Sequence, residues 1–165
     1  MLANRTLGQV KFFQPIAAVD GVMSVATFHW ITDHTALFAN LADAMRQGAP
    51  LVSESGGAGN VAGVNQAVAR MTGNRPTRGS FPGAEEAAAR LDGAGFEVRD
   101  VRLREDPFRC DNPRVLEEFL ATVILGSPLD NMPVEDREHF VRAVREALEE
   151  PEVDYIRLEI DALRR

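Results

Sequence analysis

Between Val22 and Glu54 the chain carries an apolar run, a helical pattern and a second apolar run, and this succession limits the fold more than any other feature. Residues 20–26 read as a strand that is apolar on both faces, which predicts a central position in a sheet. Asp33 stands where a helix N-cap belongs. Leu37, Phe38, Leu41 and Met45 then fall on one face of the helix that follows, with Arg46 in its last turn and Gly48 just past it. Leu51-Val52-Ser53-Glu54 is the next strand. A crossover of this length between two apolar strands predicts parallel pairing, and with it an α/β sheet flanked by helices.

The remaining segments fit that plan. Residues 10–14, Val10-Lys11-Phe12-Phe13-Gln14, read as a short strand closed by Pro15. After Gly56-Gly57-Ala58-Gly59-Asn60 a helix runs through Val64, Val68 and Met71, and a loop rich in Gly, Pro and Arg extends from Thr72 to Gly83. Residues 84–92 are strong helix formers closed by Gly93 and Gly95. In "FEVRDVRLR" Phe96 and Val98 lie on one phase of a strand and Val101 and Leu103 on the other, which predicts a bulge or a change of face. Two amphipathic helices follow, Val115–Leu125 and Val134–Leu148. The terminal "VDYIRLEIDALRR" fits a strand through Ile156, Leu158 and Ile160, and equally a helix through Val153, Ile156, Ile160 and Leu163.

At 165 residues the chain is long enough for one domain with a sizeable core, burying about 68–70% of its unfolded surface, so residues 1–165 are read as a single domain. No apolar run approaches the roughly 18 residues of a membrane span, and the first residues lack the basic and apolar regions of an export signal, so a cytoplasmic location is expected. A net charge of −7, with arginines interleaved among acids, argues against a nucleic-acid partner. The single cysteine, Cys110, excludes an internal disulfide framework. His29, His34 and His139 match no metal-ligand spacing, and no serine lies in GxSxG.

Two features share one edge of the predicted sheet. "SESGGAGN" ends one strand and His29-Trp30 follows the other, at the carboxyl edge where open α/β sheets gather ligands. Each also has a local explanation: a tight strand-to-helix turn for the glycines, and an aromatic corner capped by Asp33 for the His-Trp pair. The glycines match neither GxGxxG nor a phosphate loop.

At "SVATFHWITDHTALFANLADAMRQGAPLVSESGGAGN" the sequence resembles the class I S-adenosylmethionine-dependent methyltransferases, specifically the group similar to trans-aconitate 2-methyltransferase. The likeness continues through "FPGAEEAAARLDGAGFEVRDVRL", "EEFLATVILG", "PVEDREHFVRAV" and "DYIRLEIDALRR". It implies a partial Rossmann-like methyltransferase sheet, mostly parallel, with the closing segment as an antiparallel strand. It further implies His29 as a catalytic candidate, Trp30, Arg75 and Arg78 as substrate contacts, and Ser24, Ala26, Gly56 and Gly57 as what is left of a cofactor site. S-adenosylmethionine is the cofactor by this resemblance alone. The family's opening strand with its glycine-rich turn, and the second strand with its ribose-binding acid, have no counterpart here, which reads as an N-terminal truncation of the domain. Gln14-Pro15 stands where the third strand usually ends in Asp, and Ala49-Pro50 replaces a glycine and the residue after it.

The expectation is therefore a methyltransferase-like protein without a donor-binding motif, a pseudoenzyme or a repurposed small-molecule binder. Three alternatives stay open: an active methyltransferase completed by dimerisation or a partner chain, a biosynthetic cyclase or isomerase on the residual scaffold, and a regulatory subunit of an intact methyltransferase. Loss of the two strands would expose an apolar sheet edge. A homodimer, or a partner chain covering that edge, is expected.

Overall fold

The computed structural model describes residues 18–73 and 79–165. In chain order its elements are β1 (Val22–Val25), a 3-10 turn (Phe28–Trp30), α1 (His34–Ala44), β2 (Pro50–Gly56), α2 (Ala62–Thr72), α3 (Ala84–Gly93), β3 (Phe96–Glu105), β4 (Phe108–Arg109), α4 (Pro113–Phe119), a π-helical turn (Leu120–Ile124), α5 (Gly126–Asp130), α6 (Val134–Glu146), β5 (Glu152–Val153) and β6 (Ile156–Arg164). The strand expected at residues 10–14 and the loop residues Arg75 and Arg78 lie outside the described residues. No helix among the described residues is long and apolar enough to cross a membrane.

The chain packs as two compact units. The first contains residues 18–58 together with Gly79–Arg104 and Ile156–Arg165. Its four-stranded sheet has the order β1-β2-β6-β3. β1 and β2 are parallel, with Val22 opposite Leu51, as the crossover demands. β6 runs antiparallel to β2, pairing Leu158 with Ser55 and Ile160 with Ser53. That pairing resolves the terminal ambiguity in favour of a strand.

Burial of the inner sheet face holds this unit together. Leu51 on β2, Leu158, Ile160 and Ala162 on β6 and Phe96 on β3 meet Leu37, Phe38 and Ala42 of α1 and Ala87 and Leu91 of α3. Val98 and Val101 both pack on this core although they are three residues apart, so β3 shifts its alternation as its sequence phase predicted. Arg164 fastens the far end of β6, its Nε donating to the Ala42 carbonyl of α1 at 2.9 Å and its Nη1 to the Gly95 carbonyl beyond α3 at 2.8 Å. Cations at helix C-termini meet unpaired carbonyls there.

On the outer face Arg104 donates to Glu159 (2.6 Å) and Glu54 (3.0 Å), and Arg102 reaches Glu159 (2.7 Å), linking β2, β6 and β3 by charge. The arginine hydrogen bonds, Arg104 first, hold the Glu159 carboxyl below its usual range. Beside this ladder the same sheet turns apolar, with Met23 82% and Val25 61% exposed. Among the described residues β1 is an edge strand, not a central one: Val22 and Ser24 point inward while its second apolar row meets no helix.

The second unit, residues 59–73 with Glu105–Tyr155, has its own core of Val64, Val68, Leu116, Leu120, Leu125, Phe140, Val144 and Val153. A short antiparallel ribbon pairs Phe108 with Val153, and Phe108 stacks on Phe119 at 4.1 Å. The expected single helix Val115–Leu125 is instead α4 followed by the π-helical turn, where the Leu125 amide reaches back to the Leu120 carbonyl at 2.8 Å. The added residue rotates the helix face, and Val123, which continued the apolar pattern, is 54% exposed.

Asp33 caps α1 by accepting from the Ala36 amide at 2.9 Å. Asp33→Ala is expected to cost about 1 kcal/mol in urea unfolding, whereas Asp33→Asn, which keeps the acceptor, leaves stability nearly unchanged. An equal loss in both variants would mean that the charge, and not the cap, is what matters.

Candidate functional site

β1 stops because the backbone at Ala26 turns into the left-handed region, at φ +52°, while its amide still bonds the Glu54 carbonyl of β2 at 2.8 Å. An alanine pays for that conformation where glycine would not. Thr27 Oγ1 then donates to the Val25 carbonyl, and the chain enters the 3-10 turn that places Phe28 in the core, His29 half-buried and Trp30 53% exposed.

Two hydrogen bonds and two ring contacts fix His29. Its carbonyl accepts the Ser80 amide at 2.7 Å, and its Nδ1 accepts the Gly56 amide, at the end of β2, at 3.2 Å. Its ring lies 4.9 Å from that of Trp30 and 5.8 Å from that of Phe81. Gly79 makes the first contact feasible: its φ is +95°, and a Cβ there would stand 2.8 Å from the His29 carbonyl oxygen.

Because Nδ1 is an acceptor, the neutral ring carries its proton on Nε2. Burial lowers the His29 pKa below the ordinary 6.5, and the nearby charges of Arg157 and His34 lower it further. At neutral pH the site therefore offers an uncharged Nε2–H donor beside an exposed indole.

The glycine-rich turn offers much less. The amides of Gly56, Gly57 and Ala58 go to His29 Nδ1, the Ile156 carbonyl (2.9 Å) and the Pro82 carbonyl (3.0 Å). A Cβ on Gly57 would stand 2.4 Å from Leu103 Cδ2 and 3.0 Å from Leu158 Cβ, so packing explains that glycine. In the second unit, the start of α2 is equally engaged: the Val61 amide bonds the Asp154 carbonyl and the Gly63 amide bonds Asp154 Oδ2 at 2.8 Å. S-adenosylmethionine would need backbone donors for its carboxylate and hydroxyls, and the Gly56, Gly57 and Ala58 amides are already committed to protein acceptors. Those three groups do not fit it.

Sequence reasoning thus brought together His29, Trp30 and Gly56, with Ser24 half-buried on the inner face of β1 and Ala26 at its end. Arg75 and Arg78 lie outside the described residues. It missed Phe81, Gly79 and His34. His34 Nε2 lies 3.0 Å from the Phe28 carbonyl, and the residue is 2% exposed. Its signal was present, since position 34 begins the apolar stripe of 37, 38 and 41.

No protein-family model matches the chain, and no curated protein matches it. Solved structures do. The YcgJ protein from Bacillus subtilis aligns with a TM-score of 0.58 at 11% identity, covering 93% of this chain and 68% of its own. A protein from Bacillus halodurans C-125, provisionally assigned as a methyltransferase, gives 0.54 at 14% identity over 92% and 68%. The cyclopropane synthase MmaA2 from Mycobacterium tuberculosis gives 0.50 at 14% identity over 90% of this chain, which spans 56% of that one. At such identities the likeness is one of fold, and the fold is that of the methyltransferases.

The lowered pKa values of His29 and His34 set a pH dependence. The unfolded chain takes up these protons first as pH falls below 6.5, so the stability they contribute is complete above that value and is lost below it, down to their folded pKa values. Urea midpoints are expected to fall from pH 7 to pH 5, and His29→Gln to flatten part of that slope. An unchanged slope in His29→Gln would show that His29 is not held neutral.

Proposed function

We propose that this chain is a methyltransferase-fold small-molecule binder that does not itself hold the methyl donor, a pseudoenzyme in relation to methyl transfer. One observation carries the reading: where β2 ends, the amides of Gly56, Gly57 and Ala58 bond to the protein's own acceptors, while among the described residues His29 Nε2–H and the Trp30 indole have no such partner and are left for a ligand. Methyl transfer from a sulfonium depends on holding donor and acceptor in line, a term worth about 7–11 kcal/mol when geometry is well set. Without a grip on the donor most of it is lost. In this reading His29 donates a hydrogen bond to a ligand oxygen or nitrogen and Trp30 forms the apolar wall; Arg75 and Arg78 remain candidates for a carboxylate. A cytoplasmic location belongs to the same reading, in keeping with the unpaired Cys110.

Calorimetry with S-adenosylhomocysteine, followed in parallel by emission of the single tryptophan, tests it. Little heat and unchanged Trp30 emission at millimolar ligand are expected. Micromolar or tighter binding would overturn the reading in favour of an active methyltransferase completed by dimerisation.

The reading also includes a second copy of the chain paired along β1. Its support is the edge position of β1 among the described residues and the outward Met23 and Val25; edges of this kind invite pairing. Light scattering after gel filtration is expected to give twice the chain mass, and Val25→Lys to return it to the monomer. A monomer at high micromolar concentration would count against the pair.

A further inference from the structure

The three-residue turn that carries His29 is too short to hold its own shape, because isolated 3-10 turns have poor hydrogen-bond geometry. Something outside it must set its orientation. The Phe28 carbonyl closes the turn by accepting the Ile31 amide at 2.9 Å, and the same oxygen lies 3.0 Å from His34 Nε2. A carbonyl can only accept, so Nε2 of His34 carries the proton and donates it.

The rings complete the fixation. Phe28 meets Phe38 edge-on at 6.1 Å, and His34 meets Phe38 at 5.9 Å. Phe28, Phe38 and His34 thus form a closed set in which packing holds the Phe28 side chain and a hydrogen bond holds its backbone. We propose that His34 is a positioning residue for the His29–Trp30 site, its Nε2–H fixing the Phe28 carbonyl and, through the 3-10 turn, the direction of the His29 imidazole.

The choice of residue type supports this. His34 is 2% exposed, and its Nδ1 has no hydrogen-bond partner among the described residues. A buried acceptor without a partner is a cost that leucine on the same apolar stripe would avoid. The imidazole is explained by what its other nitrogen does. Neutrality is part of the device, because a proton on Nδ1 would have no acceptor. Burial, the largest influence, keeps His34 neutral; Arg90 of α3 acts in the same direction, while the Phe28 hydrogen bond, Glu86 of α3 and Asp33 oppose it. Arg157 and His34 are the charged or titratable groups acting on His29.

The proposal rests on the His29–Trp30 reading for its functional meaning, but its test needs no ligand. Nitrogen-15 correlation spectra of the imidazoles report each tautomer. Trp30 emission reports the His29 titration, since an imidazolium beside an indole quenches it, and His29→Gln checks that assignment. In the native chain both rings are expected as Nε2–H tautomers, with the Trp30 midpoint below 6.5. In His34→Leu the two His29 nitrogen resonances are expected to converge as tautomers mix and the Trp30 midpoint to rise toward 6.5; His34→Gln, which retains an N–H donor but, like leucine, lacks the His34 charge, restores the separated resonances without fully restoring the midpoint.

A folded His34→Leu with native His29 resonances overturns the proposal, because a purely structural role would lower the urea midpoint, and loss of the His34 charge would move the Trp30 midpoint, with no change of tautomer. Should His34→Leu not fold, the native spectrum still decides: an Nδ1–H tautomer at His34, or an Nε2–H that exchanges at solvent rates, is equally fatal. Failure of ligand binding would leave all of these signals in place, so the two readings fail separately.

Discussion

The carboxyl edge of this sheet is governed by the hydrogen-bonding demand of the backbone where β2 ends. β2 is paired on both sides, by β1 in parallel and by β6 antiparallel along all seven of its residues. When the ladders run out, the next amides are buried with the strand and must find acceptors. Gly56 finds the His29 imidazole, Gly57 the Ile156 carbonyl and Ala58 the Pro82 carbonyl. The glycines are there because Leu103 and Leu158 come too close to Gly57 for a side chain, and because Gly79 must pass against the His29 carbonyl. The turn thereby also locks His29, through the Gly56 amide.

The local part of the fold was legible. The β1–α1–β2 crossover, the Asp33 cap and the helix at residues 84–92 each announce themselves within a few residues, through periodicity and capping chemistry. Elements that depend on distant partners were not. Ile156, Leu158 and Ile160 alternate as a strand while Val153, Ile156 and Ile160 also fit a helix, and only β2, about a hundred residues earlier, settles the matter. The π-helical turn was hidden for a different reason. Leu116, Phe119, Leu120 and Val123 form an unbroken helical pattern, and the extra residue that turns Val123 outward leaves no mark in the sequence.

The site divides in the same way. His29 and Trp30 were visible because polar and aromatic residues at the end of an apolar strand are conspicuous, and Gly56 because it ends the neighbouring one. Phe81 and Gly79 come from the loop before α3, and no spacing rule brings a residue fifty positions away against a histidine. His34 is the instructive case. It occupies the first position of the apolar stripe of α1, so its burial could be read from the helix period, but the carbonyl it serves is set by the shape of the turn.

The tautomer of His29 decides what kind of chemistry the site can support. With Nδ1 accepting from Gly56, the lone pair that a general base would use is occupied, and Nε2 presents a proton. The ring is then suited to donate a hydrogen bond to a carbonyl, carboxylate or ring nitrogen, and unsuited to take a proton from one. To act as a base it would have to release Gly56, leaving a buried amide without an acceptor at the end of β2, or rotate away from the Trp30 and Phe81 rings. Because burial, Arg157 and His34 all disfavour the imidazolium, protonation would not ease that exchange near neutral pH. The same hydrogen bond that makes His29 a well-oriented donor therefore argues against proton abstraction at this edge, whatever molecule occupies it.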